Sequence, residues 1–259
     1  MVPRLSEPCA SPGRRPTIEP GPWPVTAAEA EDVQRRLRAR VEVVPAASGI
    51  DTVAGVDVAY DTGSDLVAGA VVVLDAASLS VVVSSTVVGR AAFPYVPGLL
   101  AFRELPTLVT AWNRLPPDIC PDLVVCDGYG LAHPRRFGLA CHFGVLTGLP
   151  TFGVGKTAFV GAAEPPPAAR GGSSPLIVDG EVVGRALRTQ DGVKEVHVSV
   201  GHRIELDQAC AHVLALTPRF RLPQTTRAAD QAARRVLRSA RAARMEPKGR
   251  QDVTDSPGD

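Results

Sequence analysis

Thr52–Gly89 reads TVAGVDVAYDTGSDLVAGAVVVLDAASLSVVVSSTVVG. Three β-type runs, Thr52–Tyr60, Leu66–Asp75 and Leu79–Gly89, are joined by the short links DTGSD and AAS. Valine-rich runs of this length favour strands, and links this short permit only antiparallel neighbours. The stretch therefore predicts a three-strand meander.

Outward from the meander the pattern changes. LLAFRELPTLVTAWNRL (Leu99–Leu115) is helical, and DLVVCDG (Asp122–Gly128) is a short buried strand. HPRRFGLACHFGVLTG follows as a helix and PTFGVGK as a strand. Residues 161–175 form a Gly/Pro-rich loop. PLIVDG and EVVGRALRT make a hairpin about Asp179–Gly180, and VKEVHVSVGH a further strand. LDQACAHVLAL and TTRAADQAARRVLRSARAARM are helices. Upstream, TAAE places a capping box at Thr26 and Glu29, opening the helix AEDVQRRLRARV that Pro45 closes. A meander followed by strands alternating with helices predicts an α/β fold, a mixed sheet covered by helices on both faces.

The 259 residues suit one domain over 25–245, with disordered tails over 1–24 and 246–259. No run of about 20 apolar residues spans a membrane, and the N-terminus lacks the apolar core of a signal peptide. Five cysteines without a CxxC pair argue against a disulfide framework or zinc knuckle. A cytoplasmic protein is expected. Net charge is only +1. The stretch Arg227–Arg250 is dense in arginine against only Asp230 and Glu246, a face for phosphates or simply a solvated helix.

Some residues are out of place for a purely structural reading. Asp57 interrupts an apolar strand, where a lone buried carboxylate is costly. Asp127 ends a strand at a Gly turn, a position that either caps the turn or faces a ligand. If their strands are neighbours, the two carboxylates converge and call for a hard cation, Mg²⁺ or Mn²⁺. Glu104 breaks the apolar stripe of its helix, although Pro106 complicates that helix. Carboxylates around a divalent ion suit phosphodiester hydrolysis.

GVGKT (Gly153–Thr157) imitates the end of a nucleotide-binding P-loop. Yet Pro150 stands at the first glycine position, and AFVGAAEPPP cannot form the long helix whose N-terminus would face a phosphate. None of the five histidines shows HExxH spacing or a nucleophile-elbow partner. His133 and His202 are assigned structural roles.

AGVDVAY, FPYVPGLLAFRE, PDLVVCDGYGLAHPRRFGLACHFGVLTGLPTFGVGK, SVGHRIELDQA and RLPQTTRAAD, in this order and spacing, resemble the endonuclease V family over most of the chain. The resemblance implies a ribonuclease-H-like fold. It also implies metal-dependent hydrolysis of the second phosphodiester bond 3′ to deoxyinosine, leaving 3′-hydroxyl and 5′-phosphate ends. Asp57 and Asp127 fall on the metal ligands, with Mg²⁺ expected and Mn²⁺ as the alternative, and Glu104 completes the acidic centre. Lys156 falls on the lysine that meets the attacking water or the scissile phosphate. Asp230 falls on a position where a carboxylate can align a second metal, so one- and two-metal chemistry both stay open.

Tyr95 falls on a wedge that stands in for the extruded base. Gly98 and Gly128 are placed at the base pocket. Arg135 and Arg136 are candidate phosphate contacts. Tyr129 departs from the smaller or polar residue expected after DG, and Gly155 from the more usual alanine of GVAK. The implied partner is inosine-containing DNA, with no membrane partner and a monomeric protein. Action mainly on inosine-containing RNA, a non-catalytic inosine-binding module and a nucleotidase are the other readings.

Overall fold

A computed structural model gives the fold and describes residues 15–19 and 21–245. The elements follow in the order α1 (Ala27–Arg38), β1 (Thr52–Tyr60), β2 (Leu66–Asp75), β3 (Val81–Arg90), α2 (Leu100–Asn113), β4 (Leu123–Asp127), α3 (Leu139–Thr147), β5 (Thr151–Gly155), β6 (Ser173–Val178), β7 (Glu181–Leu187), β8 (Val196–His202), α4 (Leu206–Ala215) and α5 (Gln224–Met245). The strands form one eight-stranded sheet in the order β3-β2-β1-β4-β5-β8-β7-β6. β1, β4 and β5 are parallel neighbours, and the remaining pairs are antiparallel. The predicted meander is β1–β3.

Both faces of the sheet are covered, and β2 shows how. Val67, Val71 and Val73 pack with Leu105, Leu108 and Trp112 of α2. Ala68, Ala70, Val72 and Leu74 point the other way, onto Ala229, Ala232, Ala233 and Leu237 of α5. Successive side chains alternate between faces, so a strand buried on both sides is apolar throughout. The half of the sheet around β5 and β8 packs on Ala209, Cys210 and Val213 of α4. No helix among the described residues is long and apolar enough to cross a membrane.

Local signals set several boundaries. Thr26 caps α1 with Glu29 as the reciprocal partner. Asp179 and Gly180, both at positive φ, make the tight β6–β7 turn, as primed hairpin turns require.

Other boundaries differ from the sequence expectation. α1 ends at Arg38, well before Pro45, and the following chain runs extended, with Glu42 N–H donating to His202 Nδ1 at 3.2 Å. HPRRF is not helical: α3 starts only at Leu139, because Arg136 takes a positive φ and Gly138 is extended.

The inner end of the tail expected over 1–24 packs against α2 and the chain just after it. Ile18 is fully buried, and it exchanges hydrogen bonds with the Asn113 side chain at 3.0 and 2.7 Å. Trp112 Nε1 donates to the Pro16 carbonyl at 2.9 Å, and Arg15 donates to the Leu115 carbonyl at 3.1 Å. Proline-rich composition describes the free chain, whereas these partners satisfy an extended segment's backbone groups one by one. Residues 1–14 and 246–259 lie outside the described residues, as do the basic Lys248 and Arg250.

Candidate active site

β1 and β4 run side by side, with Val56 opposite Cys126. The next residue on each strand is a carboxylate, Asp57 and Asp127, so both leave the sheet on one face at its carboxyl end. The face is that of Gly55, where α5 presses onto the sheet. A Cβ at Gly55 would sit 2.2 Å from the Thr225 carbonyl oxygen, so only a bare backbone allows this approach. One turn further along α5, Asp230 comes near enough to add its charge to that of Asp57. Its own carboxylate accepts from Arg234 Nε at 2.6 Å.

Glu104 arrives from α2 on the opposite face and is buried. Tyr60 extends toward it from the end of β1, and its hydroxyl donates to Glu104 Oε1 at 3.0 Å. The Arg103 guanidinium lies 5.1 Å over the Tyr60 ring. Burial and the neighbouring Glu104 hold Tyr60 protonated. Tyr60 was not anticipated as part of the site. Its place in AGVDVAY, an even number of residues from the α2-facing Val56 and Val58, was the available signal.

Charge accumulates here. Burial, then the charge of Asp57, pushes the Glu104 carboxyl up to about 8 against the Tyr60 hydrogen bond. Burial, then Asp127 and Asp230, raises Asp57 well above the carboxylate range.

Lys156, the first residue after β5, brings a positive charge, and its Nζ donates to Asp127 Oδ2 at 2.6 Å. Burial would lower its pKa, but the bond to Asp127 and the charges of Asp127, Asp57 and Asp230 outweigh this and raise it. No helix follows Lys156, so a phosphate-cradling helix N-terminus is absent there. Arg221 holds this strand end: Nη2 donates to the carbonyls of Lys156 at 2.7 Å and Glu195 at 2.8 Å, and Nε to that of Lys194 at 2.8 Å. Sequence reading quoted Arg221 within RLPQTTRAAD but gave it no role, since its targets are backbone carbonyls far along the chain.

Among the described residues no group of three His, Cys, Asp or Glu side chains is arranged to hold an ion unaided. Asp57 and Asp127 nevertheless fit Mg²⁺, which typically takes one or two carboxylates and completes its shell with water and phosphate oxygens. The destabilised, like-charged carboxylates supply the reason to bind one.

Beside Asp127 opens a cavity of about 240 Å³ lined by Gly98, Gly128, Tyr129, His133 and Phe159. It falls below the roughly 300–1,000 Å³ of drug-sized ligand sites and suits something no larger than a base. Tyr95 stands at its rim, 71% exposed. Gly98 and Gly128 both have positive φ. The Gly98 carbonyl is clamped by Arg135 Nη2 at 2.8 Å, Gln34 Nε2 at 3.0 Å and His133 Nε2 at 2.9 Å. Burial lowers His133 to about 4. The neutral ring donates from Nε2 and accepts the Arg135 backbone N–H at Nδ1, 3.2 Å away, the structural role expected of it.

Arg135 and Arg136 are each bonded within the fold. Arg135 also binds Gln34 at 2.5 Å and Glu31 at 3.4 Å, and Arg136 binds Glu181 at 2.9 Å. The structure thus brings Asp57, Glu104, Asp127, Lys156 and Asp230 together beside a pocket containing Tyr95, Gly98 and Gly128, with Arg135 bracing the pocket wall and Arg136 tied to the β6–β7 hairpin.

The family model described as Endonuclease V matches residues 35–231. The chain belongs to the endonuclease V family. The endonuclease V of Streptomyces avermitilis is 59% identical over 227 residues, covering 86% of this chain and 97% of its own. The crystal structure of endonuclease V from that organism superposes with a TM-score of 0.82 at 57% identity, covering 86% of this chain and 97% of that one. A Ciona intestinalis endonuclease V, solved in complex with a 24mer DNA containing an inosine followed by a ribo-adenosine, superposes at 0.73 with 27% identity, covering 82% and 98%. Membership makes the chain a nuclease, and its mixed sheet flanked by helices is the ribonuclease-H-like fold of endonuclease V.

Proposed function

We propose that this endonuclease V hydrolyses the second phosphodiester bond 3′ to deoxyinosine in DNA, leaving 3′-hydroxyl and 5′-phosphate ends, with Mg²⁺ as its ion and Mn²⁺ as a substitute. One observation carries the reading: four carboxylates and Lys156 gather beside a base-sized pocket with an exposed tyrosine at its rim. The DNA-bound Ciona relative supports an inosine-containing substrate.

Asp57 and Asp127 would hold the ion. When bound, a divalent ion neutralises charge on the phosphoryl group and acidifies a water. Glu104, kept in place by Tyr60, completes the acidic centre, and in its ionised form it can accept a proton from the attacking water. Lys156 trades Asp127 for the scissile phosphate and steadies its growing negative charge. The pocket takes the extruded base, while Tyr95 fills the gap left in the stack.

A duplex labelled on one strand and carrying one deoxyinosine tests this in the presence of Mg²⁺. Wild type should nick once, at the second bond, and Asp57→Ala should not. Equal cutting by both proteins sinks the proposal. A matched strand with a ribonucleotide 3′ to inosine asks whether RNA is preferred, through the 2′-hydroxyl that distinguishes the two.

A further inference from the structure

Tyr129 and Gly155, singled out in the sequence, are in contact. An ideal Cβ on Gly155 would lie 2.4 Å from Tyr129 Cε1 and 2.9 Å from Cζ. The tyrosine ring therefore occupies the space where any side chain at 155 would begin. Gly153, two residues earlier and on the same strand face, leaves room for the backbone of Gly128 and Tyr129 in the same way. The end of β5 is thus a bare bed on which the loop after Asp127 lies flat.

The ring is held at two further points. Its hydroxyl donates to the Thr157 carbonyl at 2.9 Å. Its face stacks on Phe159, with centroids 5.3 Å apart and planes 26° from parallel. Phe159 in turn meets the His133 ring at 5.8 Å, and His133 is bonded to the Gly98 carbonyl. These aromatic rings form a continuous wall of the cavity beside Asp127. Tyr129 is half-buried and Phe159 exposed there, so part of this wall is open to something that enters.

We propose that Tyr129, seated over Gly155 and stacked on Phe159, is a specificity-determining residue: its ring is the pocket wall that selects the extruded base. The inference rests on the base-pocket reading above and adds the residue pair that shapes the pocket. Every base can stack on an aromatic ring, so the selection comes from the shape of the wall that the seated ring gives the pocket. Gly155 acts only by leaving space for the ring, so its effect must pass through Tyr129.

The test uses the full chain and five proteins: wild type, Tyr129→Ser, Tyr129→Phe, Gly155→Ala and the double variant Tyr129→Ser/Gly155→Ala. Binding of a fluorescent duplex carrying inosine, and of the same duplex with adenine in its place, is measured by anisotropy without divalent ion. Tyr129→Ser should lose about tenfold of the preference for inosine, the scale of one lost pocket contact, with the adenine duplex bound as before. Tyr129→Phe should keep the preference. Gly155→Ala should lose it, and the double variant should be no worse than Tyr129→Ser alone.

Thermal midpoints supply a second readout. Gly155→Ala should lower the midpoint strongly with Tyr129 present and little in the Tyr129→Ser background. An unchanged preference in a folded Tyr129→Ser overturns the wall. Additive losses at the two positions overturn the coupling. A wild type that binds both duplexes equally overturns the inosine reading itself, and the selection with it, while the midpoints still show whether the two residues act as a unit.

Discussion

The Lys156 ammonium meets the Asp127 carboxylate at 2.6 Å, across the carboxyl ends of two adjacent parallel strands. The same ammonium also feels the charges of Asp57 and Asp230. It is a counter-charge to the acidic cluster, and a divalent ion would free it for the substrate.

Lys156→Ala should therefore leave substrate binding nearly intact and reduce single-turnover nicking by about 100-fold or more, the usual loss when a preorganised charge facing a reacting oxyanion is removed. Quench-flow rates at saturating enzyme, compared with anisotropy binding, separate the two effects. A loss confined to binding would move Lys156 out of the chemistry.

Asp57 should be stabilising only when an ion is bound. In EDTA, Asp57→Asn should be more stable than wild type by about 1 kcal/mol or more, since it removes a buried, repelled carboxylate. Adding Mg²⁺ should reverse the order. At a hundred times its Kd the ion adds about 2.7 kcal/mol to a protein that binds it in the folded state alone, and the variant should gain much less. Thermal melts with and without Mg²⁺ read this directly. An Mg²⁺ shift equal in both proteins would remove Asp57 from the ligand set.

Tyr95 is exposed, and among the described residues it makes no hydrogen bond whose loss would strand a partner. Tyr95→Ala should change stability by no more than about 0.5 kcal/mol, yet weaken cleavage of an inosine duplex about tenfold or more through lost stacking. The loss should shrink when inosine sits in single-stranded DNA, where no base has to leave a helix. Equal losses on both substrates would contradict a wedge.

His142 lies among Trp23, Phe102 and Phe137, and neither ring nitrogen has a hydrogen-bond partner among the described residues. Burial lowers its pKa to about 3. A histidine whose folded pKa is depressed contributes fully above its unfolded value of about 6.5 and loses stability as pH falls from there toward the folded value. At pH 5 the cost is about 2 kcal/mol. His142→Met should fall less between pH 7 and pH 5 than wild type, by about this amount, in urea denaturation. Equal slopes would mean that the ring is solvated.

The meander and the later strands were legible because strands buried on both faces are apolar throughout, as β2 is. Asp57 stood out against that background: a charge in a buried strand has a cost that a purely structural sequence would avoid. Its neighbour in space, Asp127, could be paired with it only on the condition that the two strands touch. Propensity and periodicity carry this information because they act within a few residues.

The remainder was settled by contacts between distant segments. Asp230 reaches the site because Gly55 lets α5 lie on β1. Arg135 is a phosphate contact by type, yet Gln34, Glu31 and the Gly98 carbonyl engage it. Arg15–Ile18 look disordered by composition but find partners around Trp112 and Asn113. Tyr129 and Gly155 look like two separate departures until the ring of one is seen in the space of the other. Residue type and local pattern determined which groups this protein has for chemistry and which strands carry them. Only the tertiary structure decided which of those groups meet, because hydrogen bonds, charge repulsion and steric exclusion act over a few ångströms in space, whatever the distance along the chain.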